Sequence, residues 1–328
     1  MNLTLFAENW FAFKIFYYAM KKWIIAIVLT VAVLISLLYV FIPGNIVVDK
    51  SIVIGNNIKG LKRALSSNEN WHKWWQANTD GKDFLFSNNF YSLTDIAFSS
   101  IFINIKHKNI DTRSSLTFIP LSADSTKLDW EIEMPTSLNP IKRLQTYLFT
   151  RSMQKDISNL LTDIKSYYSS TVNLYDLDIR REIVNDSTMI STFDSSRGYP
   201  STEKIYSQID KLREYIGSQQ ALATDSPMLN TFSKDNRVFF TRVAFPTNKT
   251  LPSVGNIVFR KMLHGGNILT AVIKGPPNKT DSALTIMENY LSDHELISPA
   301  IPFYSLVTNR LAEKDSTKWI TKIYYPVL

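Results

Sequence analysis

The side chains that most often carry enzyme chemistry are few and scattered in this chain. It has no cysteine, which excludes disulfides, thiolate metal sites and cysteine nucleophiles. Its histidines lack the spacing of a metal site and stand far apart, at His72, His107, His264 and His294. Serine-elbow, zinc-protease, phosphate-loop and dinucleotide-binding motifs are also absent from the sequence. We therefore expect no metal and no cofactor, and we assign no catalytic residue.

Three carboxylates alternate along one predicted strand, at Asp129, Glu131 and Glu133. Alternate strand residues share a face, so these side chains could supply a general acid and a general base. The same pattern is typical of a strand face exposed to solvent, and we favour that interpretation. An enzymatic role is therefore the less favoured hypothesis.

The composition fits a folded chain and does not favour a nucleic-acid partner. Hydrophobic residues make up 45% and charged residues 20% of the 328 residues, which allows a substantial core. The net charge is +7, but the longest basic runs are doublets such as Lys21-Lys22 and Arg180-Arg181. Nucleic-acid binders usually concentrate basic residues on one face or tail. We therefore expect no nucleic-acid partner.

The first structural element is an apolar stretch, residues 23–42, which reads WIIAIVLTVAVLISLLYVFI and carries no charge. A helix of about 20 apolar residues spans the hydrocarbon core of a bilayer. Lysines precede the stretch, at Lys14, Lys21 and Lys22, and the basic side normally stays in the cytoplasm. We therefore predict a cytoplasmic segment at 1–22, a transmembrane helix at 23–42, and soluble domains in the periplasm of a bacterium. The predicted localisation is the inner membrane, crossed once.

Two alternatives to this view of the N-terminal segment are a cleaved signal peptide and a later start of translation. A cleaved signal peptide would have a shorter apolar region, of about 7–15 residues, followed by a small-residue cleavage site. Residues 37–41 read LLYVF and offer no such site, so a retained anchor is preferred. Initiation at Met20 in place of Met1 also stays open, because Met20-Lys21-Lys22 has the pattern of a natural start.

The region 45–170 is predicted to be one domain. Strands are expected at 46–54, 83–93, 96–107, 112–120 and 127–134, with a short helix at 56–67 and a long one at 139–168. This order of elements resembles the SRPBCC superfamily and its START-like helix-grip fold. The resemblance rests on the opening segment VDKSIVIGNNIKGLKRALSSNENWHKWW. The resemblance implies a sheet curled around the long helix and an apolar cavity between them. The alternative is that aromatic side chains fill this space, with Trp71, Trp74 and Trp75 as packing residues.

The region 172–328 contains an internal repeat of two β-α-β-β units. The first unit has strands at 188–193, 227–232 and 238–246 and a helix at 201–216; the second has strands at 268–273, 302–307 and 319–327 and a helix at 280–293. Both helices carry apolar residues at helical spacing. Two such units side by side form one antiparallel sheet, with both helices on one face and a groove on the other.

The repeat resembles the GyrI-like domain, an effector-binding module of bacterial transcription activators. The resemblance rests on two segments, the closing KWITKIYYPVL and the earlier HGGNILTAVIKGPPNKTDSALTIMENYL. It implies an aromatic groove that binds amphipathic, often cationic, small molecules, and some members are hydrolases. Both activities tend to rest on a glutamate in the third element of the second repeat, where this chain has Tyr304; Leu306 replaces an expected tyrosine. A phenol neither attracts cations nor acts as a base at neutral pH, so hydrolysis and strong cation selection are disfavoured.

The aromatic residues of this groove are the predicted ligand-binding residues. Aromatic rings offer large contact area, and phenols add a polar tip that orients a ligand. The predicted set is Phe232, Phe240, Phe303, Tyr304, Trp319 and Tyr324. Each of them could instead face the helices as part of the core, because successive strand residues point to opposite sides.

The preferred hypothesis is a membrane-anchored α+β protein that binds a hydrophobic or amphipathic small molecule, to sense or sequester it, without converting it. One alternative is a small-molecule hydrolase or cyclase. Another is a structural interaction module whose cavities are filled, in which case an exposed apolar patch would meet a partner. The identity of the ligand, the oligomeric state and any coupling between the domains do not follow from the sequence.

Overall fold

The computed structural model describes residues 3–75, 79–80, 83–108, 110–185, 188–233, 235, 237–262 and 264–328, with the backbone alone for 3–19 and 79–80. The described chain forms two compact units. Unit 1 holds Met1–Val53, Leu65–Ile119 and Lys127–Lys165, and unit 2 holds Ile54–Ala64, Pro120–Thr126 and Ser166–Leu328. The domain boundaries predicted from the sequence stay predictions. The start at Met1 and the side chain of Lys14, which entered the N-terminal predictions, lie outside the described residues.

The first element of unit 1 is the helix α1, Leu3–Phe41. Its stretch Met20–Phe41 has a mean hydropathy of 3.0 and is unburied throughout. By length and composition this stretch can cross a membrane, and a signal sequence near an N-terminus has the same character. The helix ends before Pro43, which cannot donate a backbone hydrogen bond. Arg143 covers the end by donating from Nε to the carbonyl oxygen of Ile42, 3.0 Å away.

An antiparallel sheet and a long helix make up the rest of unit 1. The elements of this half of the chain are β1 Asn45–Ile54, α2 Ile58–Leu65, α3 Asn68–Trp74, β2 Thr79–Asp80, β3 Asp83–Phe86, β4 Asn89–Ile96, β5 Ser100–His107, β6 Ile110–Ser122, β7 Ser125–Pro135, α4 Pro140–Tyr168 and α5 Thr171–Tyr175. The strand order is β1-β7-β6-β5-β4-β3-β2. The strands bury alternate residues, such as Leu128, Trp130 and Ile132 of β7, as a half-buried sheet requires.

Aromatic side chains fill part of the core of unit 1. Trp71 stacks on Trp75 with ring centroids 5.6 Å apart, and Phe84 lies 5.2 Å from Trp71. Tyr91 lies 5.3 Å from Trp75, and all four side chains are buried. Trp71 of α3 and Trp75, which follows this helix, therefore pack against the sheet. This agrees with the interpretation of these tryptophans as packing residues.

Unit 2 is built on an eight-stranded antiparallel sheet covered by the helices α6, Thr202–Ser218, and α7, Pro277–Asp293. Its further elements are β8 Arg180–Ile183, β9 Thr188–Arg197, α6 Thr202–Ser218, β10 Met228–Ser233, β11 Val238–Pro246, β12 Ile257–Lys261, β13 Asn267–Lys274, α7 Pro277–Asp293, β14 Phe303–Leu306 and β15 Ile320–Val327. The order is β12-β9-β11-β10-β14-β15-β13-β8. The two predicted repeats are present as β9-α6-β10-β11 and β13-α7-β14-β15. The predicted α+β fold class, with two antiparallel sheets and one apolar N-terminal helix, is confirmed.

The helices α6 and α7 cover the same face of this sheet. The apolar face of α6 packs on residues such as Val243 and Phe245 of β11, and that of α7 packs on Leu269 and Ala271 of β13. At the centre, β10 pairs with β14 so that Leu229 lies opposite Tyr304. Leu229 belongs to the core beneath α6, and Tyr304 packs against the core beneath α7. The opposite face of the sheet is therefore free to form a groove.

Candidate ligand-binding cavity

A cavity of about 640 Å³ lies on the sheet face of unit 2 that the helices leave uncovered. Its wall is mostly apolar. The main apolar contributors are Met189, Met228, Ala244, Ile268, Ile301 and Phe303. They come from five strands and from the connection that precedes β14, so the cavity exists only once the whole sheet has formed.

Strand alternation explains why these residues face the cavity. On β10, Met228 and Asn230 line it; Leu229 between them also borders the cavity, but it belongs to the core beneath α6. On β11, Arg242 and Ala244 line it, whereas Val243 is buried in the same core. Each strand therefore stabilises the fold with one set of side chains and shapes the cavity with the other.

Val184, which follows β8, and Gly266, which precedes β13, belong to the cavity wall. The backbone around these two residues is hydrogen-bonded. Val184 donates to the carbonyl oxygen of Gly266 at 2.9 Å, and Gly265 donates to that of Val184 at 3.0 Å. Gly265 has φ of 77°, a conformation that favours glycine. Gly265 thus belongs to the turn that precedes β13.

The polar groups of the cavity wall are basic or neutral. The cationic ones are Arg242, Arg260 and Lys261, and none of the described lining residues is acidic. Burial, with a smaller contribution from the positive charge of Arg260, lowers the pKa of Arg242. The Arg242 guanidinium lies over the ring of Phe193, 5.7 Å from its centroid. Asn230 donates to the carbonyl oxygen of Pro302 at 2.8 Å.

Two buried polar atoms at this wall have no hydrogen-bond partner among the residues that the structure describes. They are Nε of Arg242 and Oδ1 of Asn230. Buried polar groups are normally paired, because leaving one unsatisfied costs about 1–3 kcal/mol. A donor and an acceptor beside the cavity are therefore left unsatisfied.

The predicted ligand-binding residues divide between the two faces of the sheet. Phe303 lines the cavity, and Tyr324 stacks on it with centroids 4.9 Å apart and planes at 10°. Phe240 stacks between Phe232 and Phe193, at 5.2 and 5.7 Å, on the same face but beyond the described lining of the cavity.

Tyr304 and Trp319 do not line the cavity. Tyr304 follows Phe303 on β14 and so points to the helix side. Its burial, together with the nearby charge of Asp281, raises its pKa to about 12, and it is a neutral phenol. Trp319 donates from its indole to the carbonyl oxygen of Glu313 at 2.8 Å, and the Arg310 guanidinium lies 4.8 Å from its ring centroid. The structure thus brings together only part of the predicted set.

Sequence reasoning missed the basic residues of the cavity. Arg242 carried a usable signal, because it stands two residues after Phe240 on a predicted strand and must share its face. Arg260 carried none, because β12 was not predicted, and its place opposite Met189 of β9 depends on long-range pairing. In the part of the chain that the structure describes, no three His, Asp or Glu side chains lie close enough to hold a metal ion.

Several solved structures are similar to this chain in fold. No protein-family model matches the chain, and no curated protein matches it. Among solved structures, the C-terminal domain of EcmrR is 17% identical and matches with a TM-score of 0.37, over 46% of this chain and 98% of that one. A protein solved bound to tetraphenylphosphonium is 11% identical, with a TM-score of 0.31, over 46% of this chain and 94% of that one.

A third likeness is to a START superfamily protein from Mycobacterium smegmatis. It is 12% identical and has a TM-score of 0.24, over 36% of this chain and 98% of that one. With TM-scores below 0.5, these three likenesses carry no argument about ligand or activity.

Proposed function

We propose that this chain binds a hydrophobic or amphipathic small molecule in the cavity of unit 2 and does not convert it. The observation that carries the proposal is the cavity itself. Its volume of about 640 Å³ lies within the range of roughly 300–1,000 Å³ that ligand pockets occupy. A mainly apolar wall with a few polar groups is the usual composition of such a pocket. Phe303 contacts the ligand, and Tyr324 stacks on the Phe303 ring and holds it in place.

The chemistry of the wall favours binding over catalysis. None of the described lining residues is a histidine, an aspartate, a glutamate, a serine or a cysteine. General acid–base and nucleophilic catalysis usually depend on those side chains or on a desolvated lysine, and the lysine of this wall, Lys261, is exposed. Arginine stays protonated and asparagine does not exchange protons, so both act as fixed hydrogen-bonding groups.

The proposal includes a retained membrane anchor. The stretch Met20–Phe41 of α1 has the length and hydropathy of a membrane span. Lys21 and Lys22 stand at its N-terminal side, which supports a cytoplasmic N-terminus and soluble units in the periplasm. Reporter fusions after Asn45 test this orientation: alkaline phosphatase should be active there, and an active cytoplasmic reporter would reverse the topology.

Native mass spectrometry of the full chain, released from lipid nanodiscs, tests the binding function. We expect the wild-type protein to carry a small molecule, and Ala244→Phe to lose it because the new ring occupies the cavity. Val272→Phe is the matched control, since Val272 is exposed on a strand of the same sheet and does not line the cavity. An empty wild-type protein that also gains no thermal stability from a panel of lipids and amphipathic drugs would overturn the proposal.

A further inference from the structure

The charge of the cavity identifies the class of ligand more closely than its volume does. Arg242, Arg260 and Lys261 belong to the wall, and no described lining residue has an acidic side chain. A cavity that selected cations would need a carboxylate or an open aromatic cage. The charge here is of the opposite sign, so the wall attracts anions and repels cations.

Arg242 is the best placed of the three cations. It projects from a central strand of the sheet, and it is half-buried. Its Nε is buried without a hydrogen-bond partner. A guanidinium can donate two parallel hydrogen bonds to a carboxylate or phosphate, and these are among the strongest hydrogen bonds in proteins. An anionic headgroup in the cavity can therefore bind this guanidinium through its terminal nitrogens.

The carboxylate of Glu182 on this sheet face is already engaged. Glu182 accepts two hydrogen bonds from Nζ of Lys322, at 2.9 and 3.1 Å, and one from the hydroxyl of Thr270 at 2.8 Å. These contacts neutralise Glu182 and Lys322 against each other. Among the residues that the structure describes, no ion pair engages Arg242 or Arg260, so their positive charge is available to a ligand.

We infer that the ligand is an amphipathic anion whose carboxylate or phosphate headgroup binds Arg242. Its apolar part lies against Met228, Ile268 and Phe303. This inference rests on the proposed binding function and adds the charge of the ligand to it.

Calorimetric titration of the full chain in nanodiscs, with empty nanodiscs as the blank, tests the inference. The probes share an eight-carbon chain and differ in headgroup: octanoate, octyl phosphate, octanol and octyltrimethylammonium. We expect the two anions to bind at least tenfold more tightly than octanol or the cation, which is the effect of one charge-assisted hydrogen-bonded contact. Comparing the two anions separates a carboxylate site from a phosphate site.

Variants of Arg242 separate the charge from the cavity. Arg242→Gln should weaken octanoate binding about tenfold and leave octanol binding unchanged, whereas Arg242→Lys should keep part of the preference. Arg197→Gln is the control, because Arg197 is an exposed arginine near the end of β9 that does not line the cavity. Equal binding of all four probes would overturn the anion inference and leave the proposed function standing. Binding of none of them would overturn both.

A second inference rests on an independent observation in unit 1, an exposed apolar face at the start of α4. Four side chains form it, with exposed fractions of 86% for Leu138, 68% for Ile141, 43% for Leu144 and 57% for Leu148. The spacing of the last three puts them on one side of the helix. Apolar side chains exposed together in this way usually meet another surface.

The same part of α4 is basic. Lys142, Arg143, Arg151 and Lys155 lie within it, and no acidic residue precedes Asp156 in the helix. A helix that combines an apolar face with basic residues is typical of peptides that lie on anionic membranes.

The start of α4 lies beside the end of the apolar stretch of α1. The Tyr39 hydroxyl donates to the carbonyl oxygen of Leu138, and Arg143 donates to that of Ile42. The Arg143 guanidinium also lies 4.6 Å from the ring centroid of Tyr39. When Met20–Phe41 spans a bilayer, Tyr39 is at the level of the headgroups, and Leu138 is held at the same level.

We propose that the face formed by Leu138, Ile141, Leu144 and Leu148 lies in the surface of the membrane that α1 spans. The apolar side chains enter the boundary between headgroups and acyl chains, and the exposed Lys142, Arg151 and Lys155 contact anionic headgroups. This proposal depends on the membrane anchor and on no property of the cavity.

Because the chain has no cysteine, one introduced cysteine gives a single labelling site for a test. The full chain is reconstituted in phosphatidylglycerol-rich vesicles with an environment-sensitive fluorophore at Ile141→Cys, Thr162→Cys or Leu29→Cys. Brominated lipids should quench the label at 141 and at 29 but not at 162, an exposed position further along α4. Quenching at 29 without quenching at 141 would overturn this proposal and keep the anchor, and no quenching at 29 would overturn both.

Discussion

Lys322 donates hydrogen bonds to both carboxylate oxygens of Glu182, at 2.9 and 3.1 Å, although the two residues are 140 positions apart in the sequence. Glu182 stands on the edge strand β8 and Lys322 on β15, with Thr270 of β13 donating to the same carboxylate. Partial burial alone would raise the pKa of Glu182. The hydrogen bonds from Lys322 and Thr270 outweigh it and hold the pKa below its ordinary value.

Glu182→Gln should lower the free energy of unfolding at neutral pH by up to about 1 kcal/mol, because the pair is partly exposed and solvent screens it. A lowered pKa means that the carboxylate stabilises the fold above its ordinary pKa and loses this effect as the pH falls through the folded value. Urea unfolding of both proteins at neutral pH and near pH 3 measures the difference. A difference of the same size at both pH values would show that the charge of Glu182 contributes nothing.

Phe303→Ala should weaken binding of an apolar chain, and the neighbouring Tyr304→Phe should not. Removing a ring from the cavity wall forfeits about 1.5–3 kcal/mol of apolar contact, or roughly tenfold to hundredfold in Kd. The Tyr304 hydroxyl belongs to the helix side of the sheet, so its loss leaves the cavity intact. Titration of octanoate into both variants measures this, and equal weakening would place the ligand beneath the helices.

Arg242→Met should stabilise the protein in the absence of ligand, by about 1 kcal/mol. The guanidinium is partly desolvated and has an unpaired buried Nε, whereas methionine fills a similar volume without a charge. Thermal unfolding with and without octanoate measures both effects. The variant should melt higher than wild type alone and gain less from octanoate; a lower melting temperature would show that Arg242 has a structural partner.

Asp293→Asn should destabilise unit 2 by about 2 kcal/mol. The Asp293 carboxylate is buried and accepts hydrogen bonds from Arg63, 3.2 Å from Nη1 to Oδ1, and from the Tyr175 hydroxyl at 2.8 Å. Removing its charge leaves the Arg63 guanidinium without its ion-pair partner. Urea unfolding should show the loss, and Asp281→Asn, an exposed position on the same helix, should change stability by less than about 0.5 kcal/mol.

The repeats of unit 2 were predictable because their signals are local. Apolar residues at helical spacing define α6, where Ile205, Ile209, Leu212 and Ile216 are all buried. The strand β12 was missed, because its residues alternate over only five positions and it pairs with β9 from far along the chain. The basic residues Arg260 and Lys261, which lie on β12, were missed with it.

By itself, the sequence determined that this protein has an apolar N-terminal helix and two α+β regions. It could do so because helical and strand periodicities are local properties of neighbouring residues. It also determined that Phe303 and Tyr304 face opposite sides of a sheet, since successive strand residues always do. Only the tertiary structure decided which side is the cavity, because that depends on where α6 and α7 pack. It also decided that Arg242 and Arg260 share one cavity wall, since strand pairing between distant segments brings them there.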